Sequence, residues 1–223
     1  VIQMEGDSPA DPDALIAGAA ELTTPGAIEL GAALLRGYRR DAERMPLQSF
    51  SPAAAEVSYD PVALAARFDV SLLAVFRRLA SLPPGDPGAG IGIVVCDGSG
   101  TLTFRKPVDG FVPPRLSAAC PLWPLYQALW RPMIPQRRLI EMGGRTPQTF
   151  VSYAMCQPAQ PAGFEGPQVF EAAMLILPPD LTHVPEGEQP LPVGSSCRIC
   201  PRGDCVARRE PSIMAEQEPN MAG

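Results

Sequence analysis

The sequence contains one histidine in 223 residues, His183. A helical H-E-x-x-H zinc site needs two histidines and is excluded. No Ser/His/Asp set, no base beside a nucleophile and no paired carboxylates in a recognisable motif can be picked out, so the chain is read as a non-enzyme. Long apolar runs are missing too. Stretches such as 172-AAMLILPP-179 are too short to span a bilayer, and no secretory signal pattern opens the chain. There is no internal repeat and no glycine-rich phosphate loop. Basic residues are in deficit, with 18 Lys and Arg against 24 Asp and Glu and a net charge of -6. The chain as a whole therefore does not attract nucleic acid or an anionic membrane. The first residue is Val, which reads either as a fragment or as an alternative start written literally.

What is present fits one large domain or two small ones with a true core: 46% hydrophobic and 19% charged residues. With 28 prolines and 20 glycines, long helices should be few. The six cysteines are uneven: Cys96, Cys120 and Cys156 stand alone, while Cys197, Cys200 and Cys205 cluster. This is not the pattern of a small secreted disulfide scaffold, and a reduced, cytoplasmic protein is the expectation.

Residues 1 to about 25 read as a frayed lead-in or a broken element. Ala27 to Arg44 reads as a helix with Leu30, Leu34 and Leu35 on one side, closed by Pro46. The clearest helical signal is 60-DPVALAARFDVSLLAVFRRLASLPPG-85. Asp60 caps a first helix with Pro61 at its first position, and Ser71 caps a second on which Leu72, Val75, Phe76 and Leu79 recur. The pair 60–82 could read DNA through Arg77 and Arg78. A helical hairpin packed on a neighbouring domain is the favoured reading, because the second helix offers little else to a groove. Residues 1–85 thus form a helical region, and 83-PPGDPGAG-90 a linker.

Beyond it, 91-IGIVVCDGSGTLTFRK-106 predicts a hairpin and 121-PLWPLYQALWRP-132 a short aromatic helix. A second hairpin is predicted over 137–158, turning at Gly143-Gly144, and a fifth strand over 168–179. The fold class is α+β: a helical N-terminal region, then a small antiparallel sensor-like sheet over 90–213 with a Cys-rich C-terminal loop. Residues 214–223 are expected to be a disordered tail.

The loop 195-SSCRICPRGDCVARRE-210 has the spacing C-x2-C-x4-C. Three thiolates so close, with Pro201 and Gly203 supplying turns, form most of a metal site, and zinc or a four-iron cluster wants a fourth ligand. The candidates are Cys96, Cys120, Cys156 and His183. Cys96 and Cys156 lie in β-runs, where a thiol acts as a small apolar side chain. Cys120 precedes Pro121 at a turn and is the expected fourth ligand. Three clustered cysteines and one distant one favour a 4Fe-4S cluster, with zinc in a structural or protein-interaction module as the alternative. Arg198 and Arg202, inside the loop, are expected to offset the negative charge of such a cluster; Arg208 and Arg209 read as surface residues.

The segments 197-CRICPRGDCVARREPSI-213, 115-RLSAACPLW-123 and 66-ARFDVSLLAVFRRLASL-82 resemble the short-chain fatty acyl transcriptional regulators (ScfR family) over roughly residues 50 to 213. Members show C-R-x-C-x-R-x-D-C-x-x-R near the end and x-x-C-P-x-W before it. The resemblance places the family's four cysteines at Cys120, Cys197, Cys200 and Cys205. It implies a four-iron cluster, a short-chain acyl-CoA as sensed ligand, and a role in propionate- or glyoxylate-type metabolism. Two departures matter. The Xre-type helix–turn–helix that usually opens the family is not in this sequence, so DNA is expected to be bound only through a missing or partner domain, by a homodimer. The middle region resembles a degenerate ImmA/IrrE metallopeptidase, including 34-LLRGYRRDAERMPLQSF-50, without its histidines.

Overall fold

The computed structural model describes residues 5, 10–115, 117–144, 146–159 and 165–214; the expected tail lies outside them from residue 215 on. Contacts divide the chain into two units, Val1–Ala89 and Gly90–Gly223.

The first unit is helical: α1 (Pro12–Ala17), α2 (Pro25–Arg44), α3 (Leu47–Glu56), α4 (Pro61–Phe68) and α5 (Leu72–Ala80). Most starts are set by a side-chain oxygen that accepts an otherwise unpaired helix N–H. Asp11 caps α1 and Thr24 caps α2. Asp60 accepts from Val62 N at 2.8 Å, and Ser71 accepts from Ala74 N at 3.3 Å. Asp69 ends α4 in the left-handed region at φ 50°. The pair α4–α5 therefore lies where the sequence puts it. By contrast, α1 falls in the stretch read as frayed or broken, and α3 has no side-chain cap to announce it.

The packing face of α2 differs from the expected leucine stripe. Leu30 and Leu34 are 74% and 55% exposed, whereas Ala32, Asp41 and Ala42 are buried. Gly31 explains this: a Cβ there would lie 2.9 Å from Ile16 Cδ1 and 3.1 Å from Leu22 Cδ1. Small residues let α1 approach closely, and that approach sets the buried face.

Helix α5 buries Leu73, Val75, Phe76 and Leu79 and packs on α2 and α4. Its arginines face inward partners. Arg77 grips Asp41 through two bonds of 2.7 and 3.0 Å. Arg78, 1% exposed, donates to Met45 O at 2.8 Å and pairs with Glu5 at 2.6 Å, its guanidinium lying over the Tyr38 and Phe50 rings. Arg67 on α4 pairs with Glu56 at 2.6 Å. Arg77 and Arg78, the two cations of the DNA-reading alternative, are both paired with carboxylates, as is Arg67, and the pair is a packed hairpin.

The second unit is one sheet with a short helix. Strands β1 (Gly92–Asp97) and β2 (Leu102–Lys106) form the first hairpin, followed by α6 (Pro124–Leu129). Then come β3 (Gln136–Met142), β4 (Gln148–Pro158), β5 (Phe170–Leu177) and β6 (Leu191–Val193), in the order β2-β1-β5-β4-β3-β6. The first five strands pair antiparallel, in register Val94↔Met174, Ala154↔Met174 and Ile140↔Phe150. The expected antiparallel sheet is extended by β6, which runs parallel to β3 with Met142 opposite Val193. Three residues around Pro192 are too short a run to read as a strand from sequence. One face buries Val94, Cys96, Ile140, Phe150, Cys156, Met174 and Ile176 against Trp123, Leu125 and Ala128 of α6 and its approach. Phe111 bridges the two layers, its ring centroid 5.1 Å from Trp123 and 5.7 Å from Phe150.

Candidate metal centre

The extra strand decides where the cysteine loop goes. Gly143 N donates to Val193 O at 2.9 Å, fixing the end of β6 beside the end of β3. The residues that follow, 194–196, then run against the turn that enters α6. Cys120 N donates to Ser195 O at 2.9 Å, and the fully buried Trp123 donates through Nε1 to Gly194 O at 2.8 Å. The loop is thereby laced to Cys120, distant in sequence.

Within the loop, Cys197–Ile199 forms a single 3₁₀ turn, with Cys200 N donating to Cys197 O at 3.3 Å. The x2 spacing thus makes one turn and puts both thiols on its inner side, 6% and 7% exposed. A second turn follows Cys205, closed by Arg208 N to Cys205 O at 3.1 Å. Cys120, Cys197, Cys200 and Cys205 all line one pocket, with Pro121, Gly194, Ser196, Arg202, Ala207 and Arg208.

The sulfurs have distinct environments. Burial pushes the Cys120 thiol up, against the N–H groups of Gly194 and Leu122 that point at its sulfur; the nearby Cys200 and Cys197 add to the upward push. Burial also acts on Cys197, but the backbone N–H and guanidinium of Arg209, with the charge of Arg208, outweigh it and hold that thiol below the usual value. Gly194 makes space for the remaining buried sulfur: a Cβ there would lie 2.9 Å from Cys200 Sγ.

The arginines are arranged differently from the expectation. Arg198 is exposed and is not among the residues lining the pocket. Arg202 lines it, but its guanidinium donates to Pro192 O at 2.8 Å. Arg208, read from sequence as a surface residue, lines the pocket and donates to the carbonyls of Cys197, Arg202 and Glu210, whereas Arg209 is exposed as expected, outside the lining, and donates to Ala119 O. Sequence spacing could not separate these roles, since nothing in it says that the chain after Cys205 folds back.

The other candidates stand elsewhere. Cys96 and Cys156 are both opposite Ala172, on either side of β5, and fully buried in the core. Burial, with Asp97 nearby, pushes the Cys96 thiol up to about 12. His183 is exposed, its carbonyl accepting from Arg137 at 3.1 Å. Among the described residues no three His, Cys, Asp or Glu side chains are set to hold a metal ion. The four thiols share one pocket. As a donor set they suit a sulfur-loving group, and the glycine beside Cys200 leaves its sulfur room.

Residues 83–221 match the family model described as short-chain fatty acyl coenzyme A regulator, C-terminal. The chain belongs to this family. The matched span includes all four pocket cysteines, while the segment 66–82 lies before it. Over 208 residues this regulator-family chain is 31% identical to the propionyl-CoA carboxylase regulator of Cereibacter sphaeroides, an alignment covering 87% of this chain and 43% of that protein. It is 28% identical over 192 residues to the HTH-type transcriptional regulator PrpR of Mycobacterium tuberculosis, covering 80% and 38%. It therefore spans about two fifths of the length of these relatives. A solved Mycobacterium tuberculosis transcriptional regulator superposes with a TM-score of 0.71 at 23% identity, covering 94% of this chain and 66% of that one; the likeness is one of fold. The relatives are named as regulators of transcription or of an enzyme. Among the described residues no helix is long and apolar enough to cross a membrane.

Proposed function

We propose that this chain is the sensing part of a transcriptional regulator of short-chain acyl metabolism. In this reading Cys120, Cys197, Cys200 and Cys205 hold a four-iron cluster, and the regulator responds to a short-chain acyl-CoA. The observation that carries it is the single pocket lined by four thiols, three from one loop and one from the turn before α6. Zinc is the other occupant such thiols would suit. One zinc ion draws its sulfurs to about 2.3 Å from a common point, whereas a cubane spreads them over separate irons. Three cysteines clustered in one loop with a fourth distant in sequence favour the cluster.

When bound, the cluster supplies a redox state that the regulator can read. The chain's own part is to hold it, with Cys120, Cys197, Cys200 and Cys205 lining one pocket and Ser195 and Gly194 bonded to the Cys120 N–H and the Trp123 indole. DNA is contacted through another part of the regulator, because Arg67, Arg77 and Arg78 are occupied by carboxylates. A homodimer matches the two-fold symmetry usual for operators, and a reduced, cytoplasmic setting suits free thiols.

The test is anaerobic purification followed by iron, sulfide and zinc analysis, then thermal unfolding of the loaded chain with propionyl-CoA against free coenzyme A. Iron and sulfide in equal amounts, with stabilisation by the acyl form, support the reading. Colourless protein with one zinc per chain would replace the sensor by a zinc-stabilised interaction module.

A further inference from the structure

Helix α2 carries an apolar face that its own unit does not use. Leu30 and Leu34 are 74% and 55% exposed, and Ala33 between them is exposed as well. Gly37 continues the face, giving the i, i+3, i+4, i+7 spacing of a packing surface. A glycine in a helix interior costs stability relative to alanine, and the φ of Gly37 is not positive. The approach of α1 accounts for Gly31. Among the described residues no close approach accounts for Gly37, where a Cβ would meet only Arg40 Nη2, 3.8 Å away.

The face is self-complementary. Two α2 helices laid antiparallel, crossing where Ala33 and Leu34 stand, set Leu30 of each copy over Gly37 of the other and Leu34 over Ala33 of the other. Large residues then meet small ones at all four places. Charge selects the same direction. Glu29, Arg36 and Arg40 flank the face on the Ala33 side, and all three are exposed. The antiparallel pair brings Glu29 of each copy level with Arg36 and Arg40 of the other. Arg36 also lies 3.7 Å from Asp13 in an exposed pair, which leaves Arg40 as the main partner. A parallel pair would set Leu30 against Leu30 and Gly37 against Gly37, with Glu29 and Arg40 at different levels.

We infer that this face of α2 is a self-association surface whose occupant is α2 of a second copy of the chain, antiparallel and two-fold. The inference deepens the homodimer reading above and rests on it. One helix pair lies at or below the low end of stable interfaces, about 1,200 Å², so the association is concentration-dependent.

Sedimentation equilibrium of the full chain, from micromolar to hundreds of micromolar, tests it, with thermal unfolding of each variant in dilute solution as the folding control. Wild type should show a monomer–dimer equilibrium, and Leu34→Arg should be monomeric with an unchanged midpoint. Glu29→Arg should weaken the dimer by about tenfold or more through like charges, and adding Arg40→Glu should restore it. Gly37→Ala should move the two readouts in opposite directions: a higher dilute midpoint from better helix propensity, and a weaker dimer because the new Cβ fills the seat of Leu30. A wild-type dimer constant in both Leu34→Arg and Gly37→Ala would overturn the inference while leaving the homodimer reading intact. Failure of Arg40→Glu to rescue Glu29→Arg would overturn the antiparallel arrangement. A wild-type chain that is monomeric at every concentration would defeat both the homodimer reading and the inference.

Discussion

Replacing Gly194 by alanine adds one methyl group at the tightest point of the site. The new Cβ would stand 2.9 Å from Cys200 Sγ and 3.1 Å from Cys200 Cβ. Gly194 is not among the glycines with positive φ, so alanine meets no backbone strain and the substitution isolates the contact. Relief is hard to find. Cys200 is 7% exposed and fixed in the 3₁₀ turn, while Gly194 is held by Trp123 Nε1 on its carbonyl. Either the sulfur rotates out of the pocket or the 194–196 segment withdraws from Cys120. Overpacking of this kind costs about 1–3 kcal/mol, and each kcal/mol lowers the midpoint of a domain of this size by roughly 2–4 °C. Gly203 provides the control in the same loop, since a Cβ there has nothing within 4 Å and its φ is ordinary. Calorimetry of the two iron-free variants, with iron content after anaerobic reconstitution, gives the comparison. Gly194→Ala should unfold several degrees earlier and retain little iron, while Gly203→Ala should match wild type in both. Equal midpoints and equal iron would refute the packing argument.

Trp123→Phe keeps the aromatic packing but strands the buried Gly194 carbonyl, which should cost about 1–3 kcal/mol; an unchanged denaturant midpoint would contradict the role given to the indole N–H. In the helical unit, Glu5→Gln leaves the buried Arg78 guanidinium without its carboxylate, a loss of about 3 kcal/mol at neutral pH. Burial pushes the Glu5 carboxyl up, but hydrogen bonds from Arg78 and Tyr38 and the Arg78 charge outweigh it and hold it below 4.5. A depressed carboxyl stabilises fully above its unfolded value and loses that contribution as pH falls through its folded value. Urea midpoints of wild type and Glu5→Gln should therefore differ at neutral pH and converge in acid, and a constant gap would be a contrary result. Anisotropy titrations of this chain with labelled duplex DNA should show only weak binding that fades with modest salt. Tight, sequence-selective binding at physiological salt would return α4–α5 to the reader role.

Local signals made much of the fold legible. Asp60, Ser71 and the prolines punctuate α4 and α5, and alternating β-rich runs mark β1 to β5, because caps, turns and period-two patterns are written in adjacent residues. What was not legible depends on distant partners. The buried face of α2 follows Gly31 and Ala32 and the approach of α1, so leucine spacing misplaced it. Strand β6 exists because the end of β3 offers a free edge for three residues around Pro192. The same holds at the pocket. Cysteine types and spacings identified its four thiols as a group, but the lacing of Gly194 to Trp123 and the return of Arg208 and Arg209 are tertiary facts. Arg198 and Arg202 were favoured because they lie between cysteines in sequence; the fold turns one outward and ties the other to a carbonyl.

The most direct test of the central claim is the iron and sulfide content of single cysteine variants reconstituted anaerobically side by side. Cys120 lies far from the loop in sequence and reaches the pocket only if the sheet, β6 and α6 are arranged as described. The account predicts that Cys120→Ser loses the cluster as completely as Cys200→Ser, while Cys96→Ser and Cys156→Ser, altered in the core opposite Ala172, keep four iron and four sulfide per chain. Full occupancy in Cys120→Ser, with loss in Cys96→Ser or Cys156→Ser, would contradict it.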